Sequence, residues 1–105
     1  MTAIGTLSPD QQAAIVQKAK EHARKNRDFL KSTFPGIALM PTDGRTVKVS
    51  VPLPDGNYIT VFRGKDMLLD DRQTSEFVAS AAQTFNEAWA RQLRYTALDE
   101  VLLEA

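Results

Sequence analysis

Residues 37–63 read IALMPTDGRTVKVSVPLPDGNYITVFR, three short runs of β-forming residues separated by two turn sequences. The turn sequences, PTDG at 41–44 and PDGN at 54–57, carry the proline, aspartate and glycine typical of tight turns. Because short turns join antiparallel neighbours, the pattern predicts a three-stranded antiparallel meander. Its strands are expected at 37–40, 45–51 and 58–63.

The second predicted strand alternates strictly between apolar and polar residues. Val47, Val49 and Val51 are expected to face the core, while Lys48 and its polar neighbours face outward. If the third strand follows the same rule, Tyr58 and Phe62 lie on the outer face beside Lys48. Aromatic rings in that position can belong to the core, form an interface with another subunit, or stack on bases.

A long amphipathic helix is predicted over residues 9–33, before the strands. Ser8 and Gln11 have the spacing of a capping box, and Pro9 suits the first helical position. The core-facing side is expected to hold seven apolar residues: Ile15, Val16, Ala19, Ala23, Phe29, Leu30 and Phe34.

The same helix carries a basic stripe of four residues with spacings of four, three and four: Lys20, Arg24, Arg27 and Lys31. Such a row can contact phosphates and bind nucleic acid. It can equally be a solvated flank whose aliphatic stems cover the core. Glu21 with Lys25, and Arg24 with Asp28, are expected to pair and dilute the positive charge.

A second helix is predicted over residues 75–95, capped by Thr74 or Ser75. Its apolar stripe includes Trp89 and is wider than one sheet contact requires. Both helices are much longer than strands of five to seven residues, so both are expected to extend beyond the sheet. The apolar surface on the parts of the helices beyond the sheet is expected to be buried, either by the C-terminal tail or by a second subunit.

The tail, residues 96–105, is predicted to be a short acidic helix. Leu98, Val101 and Leu102 lie opposite Asp99, Glu100 and Glu104. This segment either closes the core of its own subunit or docks into a partner's groove.

Composition weighs against catalysis. The chain has no Cys and one His, and it has no glycine-rich phosphate loop or nucleophile elbow. We therefore expect no enzyme activity, no cofactor and no metal site. The formal net charge is zero, but residues 1–52 hold eight Lys or Arg against four Asp or Glu, and residues 53–105 hold five against nine. This asymmetry can attract a partner or a second copy.

The sequence thus predicts one α+β domain over residues 1–105, in the order α-β-β-β-α, with two long helices packed on one face of the sheet. Residues 1–7 are expected to be flexible. The expected function is that of a small regulatory protein that acts through protein–protein contacts and forms a homodimer; the alternative is a nucleic-acid-binding module. With no signal peptide and no membrane-spanning segment evident in the sequence, we expect a cytoplasmic location and no membrane partner. The candidate partner-binding residues are Lys48, Tyr58, Phe62, Trp89, Leu98, Val101 and Leu102.

Overall fold

A computed structural model describes residues 5–104 of the chain. Its elements are α1 (Pro9–Thr33), β1 (Ala38–Pro41), β2 (Thr46–Pro52), β3 (Tyr58–Gly64), a short 3-10 turn (Lys65–Leu69) and α2 (Asp71–Leu102). This order confirms the predicted α+β fold. Part of the segment expected to be flexible, residues 1–4, lies outside the described residues.

The three strands form one antiparallel sheet in the order β1-β2-β3, as the meander predicts. Each strand begins or ends within one residue of its predicted limits. In β2 the valines are buried and the residues between them are half-buried, which confirms the predicted alternation. The two helices therefore pack on the valine side of the sheet.

The core lies where the C-terminal part of α1 and the N-terminal part of α2 meet the sheet. Leu30 of α1, Phe34 at the C-cap of α1 and Phe77 of α2 are buried against the valines of β2. The Phe34 ring meets the Phe77 ring edge-on, with 6.5 Å between the ring centroids. Rings in this geometry attract each other beyond the effect of area burial.

Polar contacts fix α1 against the start of α2. The buried Asn26 side chain donates a hydrogen bond to the Leu68 carbonyl at 2.8 Å. Thr74, also buried, donates from its hydroxyl to the Met67 carbonyl. Because the buried side chains of Asn26 and Thr74 both have hydrogen-bond partners, the turn between β3 and α2 is held in place without leaving a buried polar side chain unpaired.

The N-terminal half of α1 and the C-terminal end of α2 extend beyond the sheet, as predicted. The molecule measures 87 × 22 × 18 Å along its principal axes. Three residues expected in the core, Ile15, Val16 and Phe29, are exposed, for two different reasons. Ile15 and Val16 lie before the part of α1 that reaches the sheet, and Phe29 lies beside the buried row of residues 26, 30 and 34 rather than in it.

The prediction of a cap for α2 at Thr74 or Ser75 is wrong. Asp70 is the N-cap, and its carboxylate accepts hydrogen bonds from the backbone N–H groups of Arg72 and Gln73. The tail is helical, as expected, but it continues α2 without a break to Leu102. The helix formers of residues 96–102 contain no Gly or Pro that would end it.

Candidate functional site

The open face of the sheet brings together Lys48, Tyr58 and Phe62. Lys48 is paired directly with Phe62 across β2 and β3, and Tyr58 is paired with Pro52. The side chains of Tyr58 and Phe62 are 65% and 60% exposed, so they are not part of the core. Met40, which is not among the candidate residues predicted from the sequence, is paired with Lys48 on the β1 side and is also exposed. Strand alternation extended into β1 predicts this position.

The C-terminal half of α2 forms a second, separate apolar surface. Trp89 is half exposed, and further along the helix Leu98, Val101 and Leu102 are more exposed still, Leu102 to 80%. Because α2 packs on the valine side of the sheet, this surface does not join the open sheet face. The candidate partner-binding residues therefore fall into two groups: the sheet-face group and the group on α2.

The exposure of Leu98, Val101 and Leu102 excludes the alternative in which the tail closes the core of its own subunit. All residues from Leu93 to Glu104 are exposed. The reason is geometric: a continuous helix of this length carries its last turns away from the sheet.

The basic stripe of α1 is exposed over its whole length. Three of its residues, Lys20, Arg24 and Arg27, line a groove between α1 and the sheet, and Lys65 joins them from the 3-10 turn. Lys31 lies outside this groove. The ion pairs expected within α1 do not form: Lys25 instead pairs with Asp71 at 3.1 Å, and Asp28 pairs with Arg27 at 3.0 Å.

Asp71 is the charged centre of the contact between α1 and α2. Its two carboxylate oxygens contact Lys25 Nζ at 3.1 Å and His22 Nε2 at 2.9 Å. The hydrogen bonds from Lys25 and His22 lower the pKa of Asp71 from its usual value of 3.8. The lone His thus has a structural contact between helices.

A second carboxylate ties α2 to the turn between β2 and β3. The Asn57 backbone N–H donates to Asp55, and Arg91 of α2 contacts the same carboxylate at 3.2 Å. The Asn57 backbone hydrogen bond, together with the positive charge of Arg91, lowers the pKa of Asp55. Shortly after this ion pair, from Leu93 onward, all described residues of α2 are exposed.

Within residues 5–104, no three His, Cys, Asp or Glu side chains converge as a metal site requires. Across the same residues, neither long helix has an apolar stretch sufficient to span a bilayer.

Comparison of the chain with known proteins finds no matching family model, no matching curated protein and no matching solved structure.

Proposed function

We propose that this chain is a non-enzymatic, regulatory interaction protein that acts through protein–protein contacts and self-associates as a homodimer. The observation that carries the proposal is the exposed apolar surface on the C-terminal half of α2. Large apolar side chains there are half or more exposed: Trp89, Leu93, Tyr95, Leu98, Val101 and Leu102. At about 100° per residue, Trp89 and Leu93 lie on one side of α2, and Leu98 and Leu102 lie on the opposite side. Large exposed apolar patches mark interaction sites in proteins.

The open sheet face supplies a second contact surface in this proposal. Tyr58 and Phe62 offer large rings, which are frequent anchors at protein interfaces. Lys48 offers a charge between Phe62 and Met40. One surface can serve the homodimer while the other binds a different protein.

Self-association is tested by sedimentation equilibrium over a wide concentration range. We expect a mass near twice 11.7 kDa at micromolar concentration. Trp89→Ala is expected to weaken the dimer, while Tyr58→Ala serves as the matched aromatic variant on the other surface. A monomer that persists to millimolar concentration contradicts the homodimer.

The second candidate function is nucleic-acid binding by the basic stripe. The observation that favours it is the clustering of Lys20, Arg24, Arg27 and Lys65 on one exposed edge. If these cations neutralise phosphates, affinity for a generic duplex falls steeply between about 50 and about 200 mM salt. Charge reversal at Arg24 and Arg27 is then expected to flatten that dependence. No binding at low salt excludes this function.

A further inference from the structure

The groove between α1 and the sheet is a cavity of about 490 Å³ that is open to the surface. Its walls are apolar, with Ala19 and Ala23 on the side of α1, Leu39 and Val47 on the side of the sheet, and Leu68 from the 3-10 turn. The two alanines are too small to fill the space between helix and sheet, so apolar surface stays accessible to an occupant.

The rim of this groove is positively charged. Lys20, Arg24 and Lys65 line it and have no ion-pair partner within residues 5–104, whereas Arg27 is paired with Asp28. A complementary occupant combines apolar side chains that enter the groove with negative charges that meet the rim. An acidic amphipathic helix has this chemistry.

The C-terminal end of α2 is such a helix. Leu98, Val101 and Leu102 are exposed on one side of this helix. Asp99 borders that side about 60° from Leu102, Glu104 follows the end of the helix, and Glu100 lies on the opposite side. None of these three carboxylates has an ion-pair partner among the described residues.

The apolar side of this segment is not a continuation of the side that packs on the sheet. At about 100° per residue, the side formed by Leu98, Val101 and Leu102 is centred about 90° away from the mean direction of the buried residues Phe77, Ala81 and Ala88, although Leu102 alone lies within about 40° of it. Asp99 occupies the direction in which the buried side would continue. The apolar residues of the tail are therefore placed for a contact other than the one α2 makes with its own sheet.

The tail cannot reach the groove of its own subunit. The groove adjoins the start of α2, where Asp71 contacts His22 and Lys25 beside Ala23 and Arg24. Leu98 lies 27 residues further along the same unbroken helix, which is about 40 Å. Only another molecule can bring an identical segment to this site.

We propose that the groove binds the C-terminal segment, residues 98–104, of a second copy of this chain. This inference rests on the proposed self-association and names the contact that produces it. Leu98, Val101 and Leu102 contact the apolar walls, and Asp99 and Glu104 face Lys20 and Arg24. When both copies exchange their tails, the two α2 helices run antiparallel and the contact closes as a twofold dimer.

The test uses two full-length variants with reversed charges. The groove variant is Lys20→Glu with Arg24→Glu, and the tail variant is Asp99→Lys with Glu104→Lys. All four residues are exposed, so the fold is expected to persist, which circular dichroism verifies. Lys18→Glu with Lys31→Glu is the matched control, because both lysines are exposed on α1 and neither lines the groove.

Each variant alone is expected to dissociate at least about tenfold more readily than the wild type, because groove and tail then carry like charges. In an equimolar mixture of the two variants both contacts of a mixed dimer are complementary again. We therefore expect the mixture to form a 1:1 dimer, measured by sedimentation equilibrium, and the control to associate like the wild type.

The remaining outcomes separate this inference from the proposed function. If the wild type associates and both variants associate equally well, self-association stands and the groove contact is wrong. If the groove variant dissociates and the tail variant does not, the groove binds a different part of the second copy. The proposed tail contact is then wrong. If the equimolar mixture of the two variants stays monomeric, the groove and the tail do not contact each other as proposed. A monomeric wild type overturns both proposals.

Discussion

Two buried polar side chains, Asn26 and Thr74, decide how the helices meet. Both donate hydrogen bonds to backbone carbonyls of the 3-10 turn. An apolar side chain at either position could not donate to the same carbonyl. Leaving a buried carbonyl without a donor costs about 1–3 kcal/mol. Polar residues at these two positions therefore contribute to the unique packing of the turn between β3 and α2.

Asn26→Ala is expected to lower the free energy of unfolding by about 1–3 kcal/mol, because it removes the donor to the Leu68 carbonyl. Chemical denaturation measures the change. Asn86→Ala on the exposed side of α2 is the control for the higher helix propensity of alanine. A loss no larger than that of the control would show that the hydrogen bond contributes nothing.

Asp71 predicts a dependence of stability on pH. Its pKa is lower in the folded chain than the usual 3.8, so the unfolded chain binds more protons as the solution becomes acidic. The stability that Asp71 contributes is complete above the unfolded pKa and is lost as pH falls through the folded pKa. We expect Asp71→Asn to be less stable than the wild type near pH 7. This difference is expected to shrink as the pH falls below 3.8 and to disappear below the folded pKa.

The same measurement of unfolding free energy on Lys25→Met tests what lowers the pKa of Asp71. Lys25 is the main reason for the lowered pKa of Asp71, so the effects of Lys25→Met and Asp71→Asn on unfolding are expected to be less than additive. A stability difference between Asp71→Asn and the wild type that does not vary with pH contradicts this account.

The elements could be predicted largely from sequence because their signals are local. Ser8 and Gln11 form the predicted capping box, and each of the two turn sequences joins a pair of antiparallel strands. The start of α2 was missed because Thr74 and Ser75 are also good caps. The spacing of Asp70 and Gln73, which are joined by a side-chain hydrogen bond at 3.2 Å, is the signal that could have found it.

The groove could not be predicted in the same way. Ala19 and Ala23 appear in the sequence as ordinary residues of an apolar stripe. They become the walls of a cavity only because the 3-10 turn brings Leu68 and Lys65 beside them. That contact joins residues more than forty positions apart, and no local pattern encodes it.

Removal of the last turns of α2 tests what this part of the helix contributes. Truncation after Tyr95 is expected to change the free energy of unfolding by less than about 0.5 kcal/mol in dilute solution, because the removed side chains are exposed. If they were buried within one subunit, each aliphatic residue would contribute roughly 1.5–3 kcal/mol. Thermal unfolding at low protein concentration measures the difference.

At higher concentration the truncated chain is expected to differ from the wild type. A dimer gains stability with concentration, so the melting temperature of the wild type rises on concentration and that of the truncated chain stays constant. Equal melting temperatures at every concentration would show that residues 96–105 take no part in association.

The shape of the whole molecule supports association more directly than any single patch. The radius of gyration of the Cα atoms is 20.2 Å, whereas a compact domain of 105 residues has about 13 Å. The difference comes from the two helical extensions, which point away from a small central sheet. Apolar residues on such extensions stay in water unless another molecule covers them.

Small-angle X-ray scattering tests this shape. Extrapolated to infinite dilution, the radius of gyration is expected to lie near 20 Å and well above 13 Å, and truncation after Tyr95 is expected to reduce it. On concentration, the forward scattering per unit mass is expected to double as dimers form. A dilute value near 13 Å would mean that the extensions fold back on the sheet and cover their own apolar residues. In that case a second copy is not needed as a cover, and the physical argument for self-association fails.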